Sequence, residues 1–299
     1  IMEMFNYSTN QNQITPMNYP VPIFSDFNPN SEFSQKMTRA KRINDETYWP
    51  TMRQVFAHDF ETLPKERFKV WASVWNVPII TRTRFYDYIE CVMDQTKKDS
   101  RWKFALEEPM IGLTEADLIH LSMFEDFKTT MNRIQLMAHL ILCGFDIDSI
   151  QKMESIIEFG AGVGDLADII NKLGFKGKYI IYDFPELMNI QKYYHDRLGY
   201  DNITYVSDFN NLESSDLAIA TWSLTEMPID LRDNILSKIP NTKNWLIAYS
   251  NKIFGYDNDQ YIKEVLLKKF GENKDIKFLD IPFMPWDGGA HYVTIKEKT

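Results

Sequence analysis

The stretch Ser155 to Gly174, "SIIEFGAGVGDLADIINKLG", constrains this chain more than any other. A continuous apolar run of strand length breaks at closely spaced glycines, and an amphipathic helical pattern follows until Gly174. That is a strand passing through a tight turn into a helix, where backbone can approach a ligand closely and helix N–H groups point at it. The spacing is E-x-G-x-G-x-G, from Glu158 through Gly160, Gly162 and Gly164. The dinucleotide pattern G-x-G-x-x-G needs a glycine where Asp165 stands, and a carboxylate at the helix start repels a pyrophosphate.

The rest of the C-terminal half, 151–299, repeats this alternation. Short β-rich runs fall at 155–159, 178–183, 203–206, 216–221, 244–250, 276–283 and 291–297, with helical stretches near 165–173, 185–198, 229–238 and 258–270. Strands alternating with helices predict a mainly parallel sheet covered on both faces. The last two strands are joined by a short connection, which predicts an antiparallel final strand. Only about nine residues link Val206 to Asp216. Extended, they reach ~30 Å, enough to cross two strands at ~4.8 Å each without a crossover helix.

Residues 31–150 follow a helical and aromatic pattern instead. "RFKVWASVWNV", "RFYDYIECVMDQ" and "MNRIQLMAHLILCGF" place apolar residues at three- and four-residue spacing. Thr114 suits an N-cap with Asp117 in the capping-box place, and Gly144 suits a helix end. Residues 1–30 are polar and rich in Asn and Pro, and read as an arm laid across the body or left disordered.

Several classes of function are disfavoured. The net charge is -9 and no block of Lys and Arg stands out, which argues against a phosphate-backbone partner and so against nucleic acid. Cys91 and Cys143 alone support neither a disulfide framework nor a zinc ribbon, and both read as small core residues. No apolar run reaches the ~18 residues of a membrane span, and no secretory segment precedes residue 30, so a cytoplasmic protein is expected. Ile1 ahead of Met2 reads as a cloning remnant or a cut from something longer.

The acids define the ligand. Asp183 ends the second strand 25 residues after Glu158, and Asp208 follows the third strand after another 25. A glycine turn without a ligand, or a solvated loop acid, explains any one of these alone. Three consecutive strands delivering acids to the carboxyl edge, where open α/β sheets bind ligands, select a positively charged nucleoside. S-adenosylmethionine brings an ammonium for Glu158, ribose hydroxyls for Asp183 with Phe184 beside the adenine, and an adenine amino group for Asp208 next to Phe209.

On "IIEFGAGVGDLA", "YIIYDFPEL" and "YVSDF", the region from about 150 to 299 resembles the class I S-adenosylmethionine-dependent methyltransferases. It is most similar to the sugar O-methyltransferases, whose second strand is followed by D-x-P-E, here "DFPEL", and whose fourth by S-x-x-E-M, here "SLTEMP". The resemblance implies a Rossmann-like seven-stranded methyltransferase sheet, its last strand antiparallel, behind an α-helical N-terminal cap. It implies methyl transfer to a hydroxyl of a nucleotide-linked or polysaccharide sugar. A natural-product O- or N-methyltransferase and a dead methyltransferase-fold scaffold are the rival readings.

The acceptor belongs beyond the fourth strand, at "TWSLTEMP", where Ser223 closes the cofactor side. The segment lacks N/D-P-P-Y, against base or glutamine targets, and lacks a strand-end Asp, against a metal. His291 opens the last strand at the cofactor edge and suits a general base, or else caps the hairpin. Glu226 can orient a hydroxyl, act as base, or cap the helix near Pro228. Trp222 and Trp286 suit walls of a sugar site or core positions. His139 reads as a satisfied core histidine, His195 as solvated, and Arg133 as a surface arginine that, like Gln135, can reach the cofactor carboxylate. The helical half suits a lid over the acceptor, or a dimerisation element of a homodimer.

Overall fold

Strands β1 (Ser155–Phe159), β2 (Lys178–Tyr182), β3 (Ile203–Val206), β4 (Leu217–Thr221), β5 (Asn244–Ser250), β8 (Lys274–Asp280) and β9 (Ala290–Glu297) form one sheet in the order β3-β2-β1-β4-β5-β9-β8. This computed structural model describes residues 47–70, 99–101, 103–104, 107–115, 129–270, 273–280 and 290–298. The first five strands run parallel, and β9 lies antiparallel between β5 and β8, as the short final connection predicts. The chain steps outward from β1 to β3, then returns to the far side of β1 as β4. This reversal places a crevice at the carboxyl ends of β1 and β4. The β3–β4 link contains a single 3-10 turn, Phe209–Asn211, and no crossover helix.

Strand residues alternate between two cores, because successive side chains leave a strand on opposite faces. Ile156, Tyr179, Ile181, Leu217, Ile219, Leu246 and Tyr292 meet α2 (Met131–Leu142) and α4 (Asp165–Lys172) on one face. Ile157, Phe159, Ala218, Trp245, Ile247 and Val293 meet α7 (Ile229–Lys238) and the segment 258–270 on the other. That segment starts as α8 (Asn258–Tyr261), passes through a π-helical turn at Ile262–Leu266 and ends as α9 (Leu267–Phe270). Burial on both faces is why these strands read as unbroken apolar runs.

A third core joins the N-terminal half to the sheet. Met52 and Phe56 of α1 (Tyr48–Thr62), with Phe68 of the 3-10 segment Lys65–Val70, pack on Val163 of the glycine turn and on Leu187, Ile190 and Tyr194 of α5 (Pro185–Leu198). The N-terminal helix thus rests on the glycine turn itself. α3 (Ile147–Gln151) leads from α2 into β1, its N-terminus capped by Asp146, which accepts from Ser149 N at 2.7 Å.

Two elements carried no sequence signal. β6 (Lys252–Ile253) and β7 (Tyr256–Asp257) form a miniature hairpin beyond β5, turning on Phe254 (φ 51°) and Gly255 (φ 82°). Both turn residues lie in the left-handed region, as a type I′ hairpin turn requires. A four-residue helix, α6 (Ser223–Glu226), follows β4 directly. The expected arm, the "RFYDYIECVMDQ" helix, Asp117, Cys91 and Trp286 lie outside the described residues. Among the described residues no helix is long and apolar enough to cross a membrane.

Candidate functional site

The glycine turn is built by close approach. Gly160, Gly162 and Gly164 all take positive φ, at 68°, 58° and 89°. At Gly160 a Cβ would lie 2.4 Å from Cβ of Ser223, so β1 and α6 meet here only because the side chain is missing. Ser223 Oγ–H donates to the carbonyl of Phe159, tying the end of β1 to the start of α6. Trp222, between β4 (Leu217–Thr221) and the helix Ser223–Glu226, holds φ 70°, ψ -36°. Such a conformation is costly for a bulky residue and collects at functional sites.

Two of the predicted acids come together around this turn. Glu158 is buried on the α2/α4 face and accepts from the Tyr179 hydroxyl at 2.7 Å. Asp183 is buried at the end of β2, where Oδ1 accepts from Phe184 N at 2.8 Å and Oδ2 from Gln191 Nε2 at 2.7 Å. Burial pushes the Glu158 carboxyl up to about 8, with the charges of Asp183 and Asp165 adding to the shift. Burial likewise pushes Asp183 up to about 7 against its own hydrogen bonds. Two neighbouring buried carboxyls, with no cation bonded to either among the described residues, are poised for positive charge and hydroxyl donors.

Asp208 is placed differently. It is exposed, and its Oδ1 accepts from Asn210 N and Nδ2, both at 2.9 Å, which caps the Phe209–Asn211 turn. Phe209 packs against the core on the α7 face. Phe184 stands at the N-cap position of α5, half-buried, under the guanidinium of Arg53 at 5.0 Å and beside the Trp49 ring at 5.9 Å. Arg53 also pairs bidentately with Glu186, both contacts at 3.0 Å.

Trp49 links Phe184, at the start of α5, to the turn that follows β4. Its indole Nε1–H donates to Glu226 Oε2 at 3.0 Å, across 177 residues of sequence. α1 therefore spans the carboxyl edge from the end of β2 to the end of β4. Burial pushes Glu226 up to about 7, against the lowering pull of the Trp49 hydrogen bond and the Arg232 charge. Tyr48, pushed up to about 12 by burial and by Glu226, stacks on Phe254 of the small hairpin at 5.5 Å. Arg232 holds the Glu226 turn from beneath: it donates to the carbonyls of Met227, at 2.7 Å, and Thr225, and to Asn258 Oδ1 at 2.7 Å.

His291 stands apart from this group. It pairs with Asp280 at 2.7 Å and lies against Tyr249, 5.4 Å between rings. It shares the carboxyl edge with β4 but sits two strands away, roughly 10 Å at ~4.8 Å per strand, and on the α7 face, opposite Glu158. No contact among the described residues joins it to Glu226.

Three residues behave otherwise than their sequence setting suggests. His195 is 1% exposed rather than solvated, because its face of α5 packs on the glycine turn. His139 is a core residue between Tyr292 and Trp222, but neither ring nitrogen has a hydrogen-bond partner, and burial pushes it down to about 3. Arg133 is fully buried rather than on the surface. It belongs to an ionic cluster in which Arg133 bonds Asp168 at 2.6 Å, while Lys69 bonds Glu108 at 2.5 Å and Asp165 at 2.8 Å. Asp165, which reads as repelling a pyrophosphate, is thus held down by two cations from the N-terminal half. Gln135, two residues further along α2, is buried with no hydrogen-bond partner for Nε2 among the described residues.

The raised carboxyls make stability pH-dependent. Glu158, Asp183 and Glu226 hold protons more tightly folded than unfolded, so their contribution is full below the unfolded carboxyl range of about 4 and is lost progressively as pH rises from there to their folded values of about 8, 7 and 7. His139 and His195, both lowered by burial, act oppositely, but only below their unfolded value near 6.5. Between pH 6.5 and 8 the carboxyls dominate, and Glu158 alone is expected to cost about 2 kcal/mol over that interval. Thermal melts of the ligand-free protein should fall across it and flatten in Glu158→Gln; a flat wild-type profile contradicts the burial argument.

No protein-family model matches the sequence, and no curated protein matches it. Solved structures do align. The N-methyltransferase NodS of Bradyrhizobium japonicum, in complex with S-adenosyl-l-homocysteine, is 13% identical with a TM-score of 0.41, covering 62% of this chain and 98% of its own. Magnesium protoporphyrin IX methyltransferase of Synechocystis is 12% identical with a TM-score of 0.41, covering 71% of this chain and 100% of its own. Likenesses this distant assign no activity.

Proposed function

We propose that this protein is an S-adenosylmethionine-dependent methyltransferase that acts on a sugar hydroxyl, nucleotide-linked or in a polysaccharide. The observation that carries it is the pair of buried, cation-poor carboxyls, Glu158 and Asp183, on adjacent strands beside a glycine turn. The residues fit the cofactor. Glu158 faces the need for positive charge that the ammonium meets, and Asp183 offers acceptors for the ribose hydroxyls. Phe184 suits the adenine, with Asp208 and Phe209 at the next strand end. A dinucleotide would instead bring phosphates to buried acids.

Glu158 and Asp183 would hold S-adenosylmethionine, which when bound would supply a methyl carbon activated by its sulfonium. The protein's task is to orient the acceptor and take its proton. We assign the proton to Glu226, the last residue of α6 just past β4, because a carboxylate with a value of about 7 is matched to neutral pH. The ring faces of Tyr48, Trp49 and Phe254 around it suit the C–H faces of a sugar. α1, lying across the edge, excludes water from the reacting groups. His291 closes the β8–β9 hairpin through Asp280 in this reading.

The test is calorimetric titration of S-adenosylmethionine into wild type and Asp183→Ala. Losing charged acceptors for ribose hydroxyls should weaken binding about ten- to hundredfold. The fold should survive, since Gln191 keeps its bond to the Gly162 carbonyl at 2.9 Å. Equal affinity in a folded variant removes the ribose assignment, and absence of binding in wild type favours a scaffold.

A further inference from the structure

The glycine turn is held by side chains that no acid supplies, and they come from one face of α5. Gln191 and His195 stand four residues apart, one helical turn, and so share a face. Gln191 Nε2 donates to the carbonyl of Gly162 at 2.9 Å and to Asp183 Oδ2 at 2.7 Å. Both partners are acceptors, which fixes the orientation of the amide. His195 Nε2 lies 2.9 Å from the carbonyl of Gly164, and its Nδ1 lies 2.8 Å from the Tyr205 hydroxyl.

A carbonyl only accepts, so Nε2 carries the imidazole proton. The neutral ring then accepts at Nδ1 from Tyr205, and a single tautomer satisfies both contacts. Burial lowers His195 and raises Tyr205, which keeps each in the form these bonds need. The fit is close: a Cβ on Gly164 would lie 2.6 Å from His195 Nε2. In a planar trans peptide the N–H points opposite to the carbonyl. Drawing the Gly162 and Gly164 carbonyls toward α5 therefore turns the Val163 and Asp165 amides away from it.

We infer that Gln191 and His195, with Tyr205 behind, are positioning residues of the cofactor site, setting the glycine turn and Asp183 in one fixed geometry. This rests on reading the crevice as an S-adenosylmethionine site. Neither side chain needs to touch the ligand; each acts through the turn or through Asp183.

The test titrates S-adenosylhomocysteine into the full chain as wild type, His195→Ala, His195→Gln, Tyr205→Phe and Gln191→Glu, with a thermal midpoint for each. His195→Ala should bind about tenfold more weakly, the scale of one buried hydrogen bond. His195→Gln, which restores an amide donor, should recover part of that loss. Tyr205→Phe should lose a few-fold, about half as much on a logarithmic scale. Gln191→Glu places a carboxylate against a carbonyl and Asp183, so its deficit relative to wild type should be largest at pH 8 and shrink toward pH 6, where protonation returns a donor. A purely structural role predicts no such pH-dependent ratio. If His195→Ala does not fold, Tyr205→Phe and Gln191→Glu decide. Wild-type binding with folded variants all within twofold overturns the positioning role alone. No binding by wild type overturns the methyl-donor reading, and this inference with it.

Discussion

Glu226→Gln is expected to cut turnover by about 10²–10⁴-fold while leaving affinity for S-adenosylmethionine within a few-fold of wild type. The amide keeps the size of the side chain and can still accept from the Trp49 indole, but it cannot take a proton. Because the acting form is the carboxylate, wild-type turnover should rise as pH passes through about 7 and level above it. The variant's residual rate should lack that rise. Turnover and its pH profile, measured by transfer of a labelled methyl group to sugar acceptors, check both points. An unchanged rate in Glu226→Gln removes it as base and returns His291, already paired with Asp280, to first consideration.

The second large effect is on stability. Lys69→Met should destabilise the protein by about 3–5 kcal/mol, the cost of removing one partner from a buried ionic group. Lys69 is almost fully buried against Glu108 and Asp165, and its ammonium lies 4.1 Å from the Tyr194 ring centre. Without it, the cation left beside Glu108 and Asp165 among the described residues is the guanidinium of Arg133, which they share with Asp168, itself also paired with Lys172 at 3.2 Å. Asp165 begins α4 directly after Gly164, so the damage should reach the glycine turn as well. Thermal melts should drop by roughly 5–15 °C. Lys69→Met combined with Glu108→Gln should recover part of this loss, since a carboxylate leaves along with its cation. A single variant melting with wild type would show that this cluster does not dock the N-terminal half.

The sheet was legible because its physics is local. Strands buried on both faces print unbroken apolar runs, and the glycines of 160–164 mark where β1 and α6 must touch. The placement of Glu158 and Asp183 followed from strand ends alone. What stayed hidden depends on contacts between distant segments. Trp49 meets Glu226 across 177 residues, and nothing in the helical period of α1 names its partner. His195 sits between Tyr194 and Asp196, and the charged neighbour suggests solvent. The signal that was available is its four-residue spacing from Gln191 on the same face as Leu187 and Tyr194. Arg133 read as surface because a lone arginine usually is, and only the convergence of three acids from 108, 165 and 168 makes its burial tolerable. Asp208 shows the opposite limit: a strand-end acid in the right place that spends its oxygen on capping a turn.

That two buried carboxyls beside a glycine turn select a cationic nucleoside over a pyrophosphate is tested most directly by competing ligands. Calorimetry at pH 7.5, a working pH of about neutral, should show S-adenosylmethionine binding at one site per chain and a nicotinamide dinucleotide giving no heat. Binding of the dinucleotide, with none of S-adenosylmethionine, would contradict the assignment of Glu158 and Asp183.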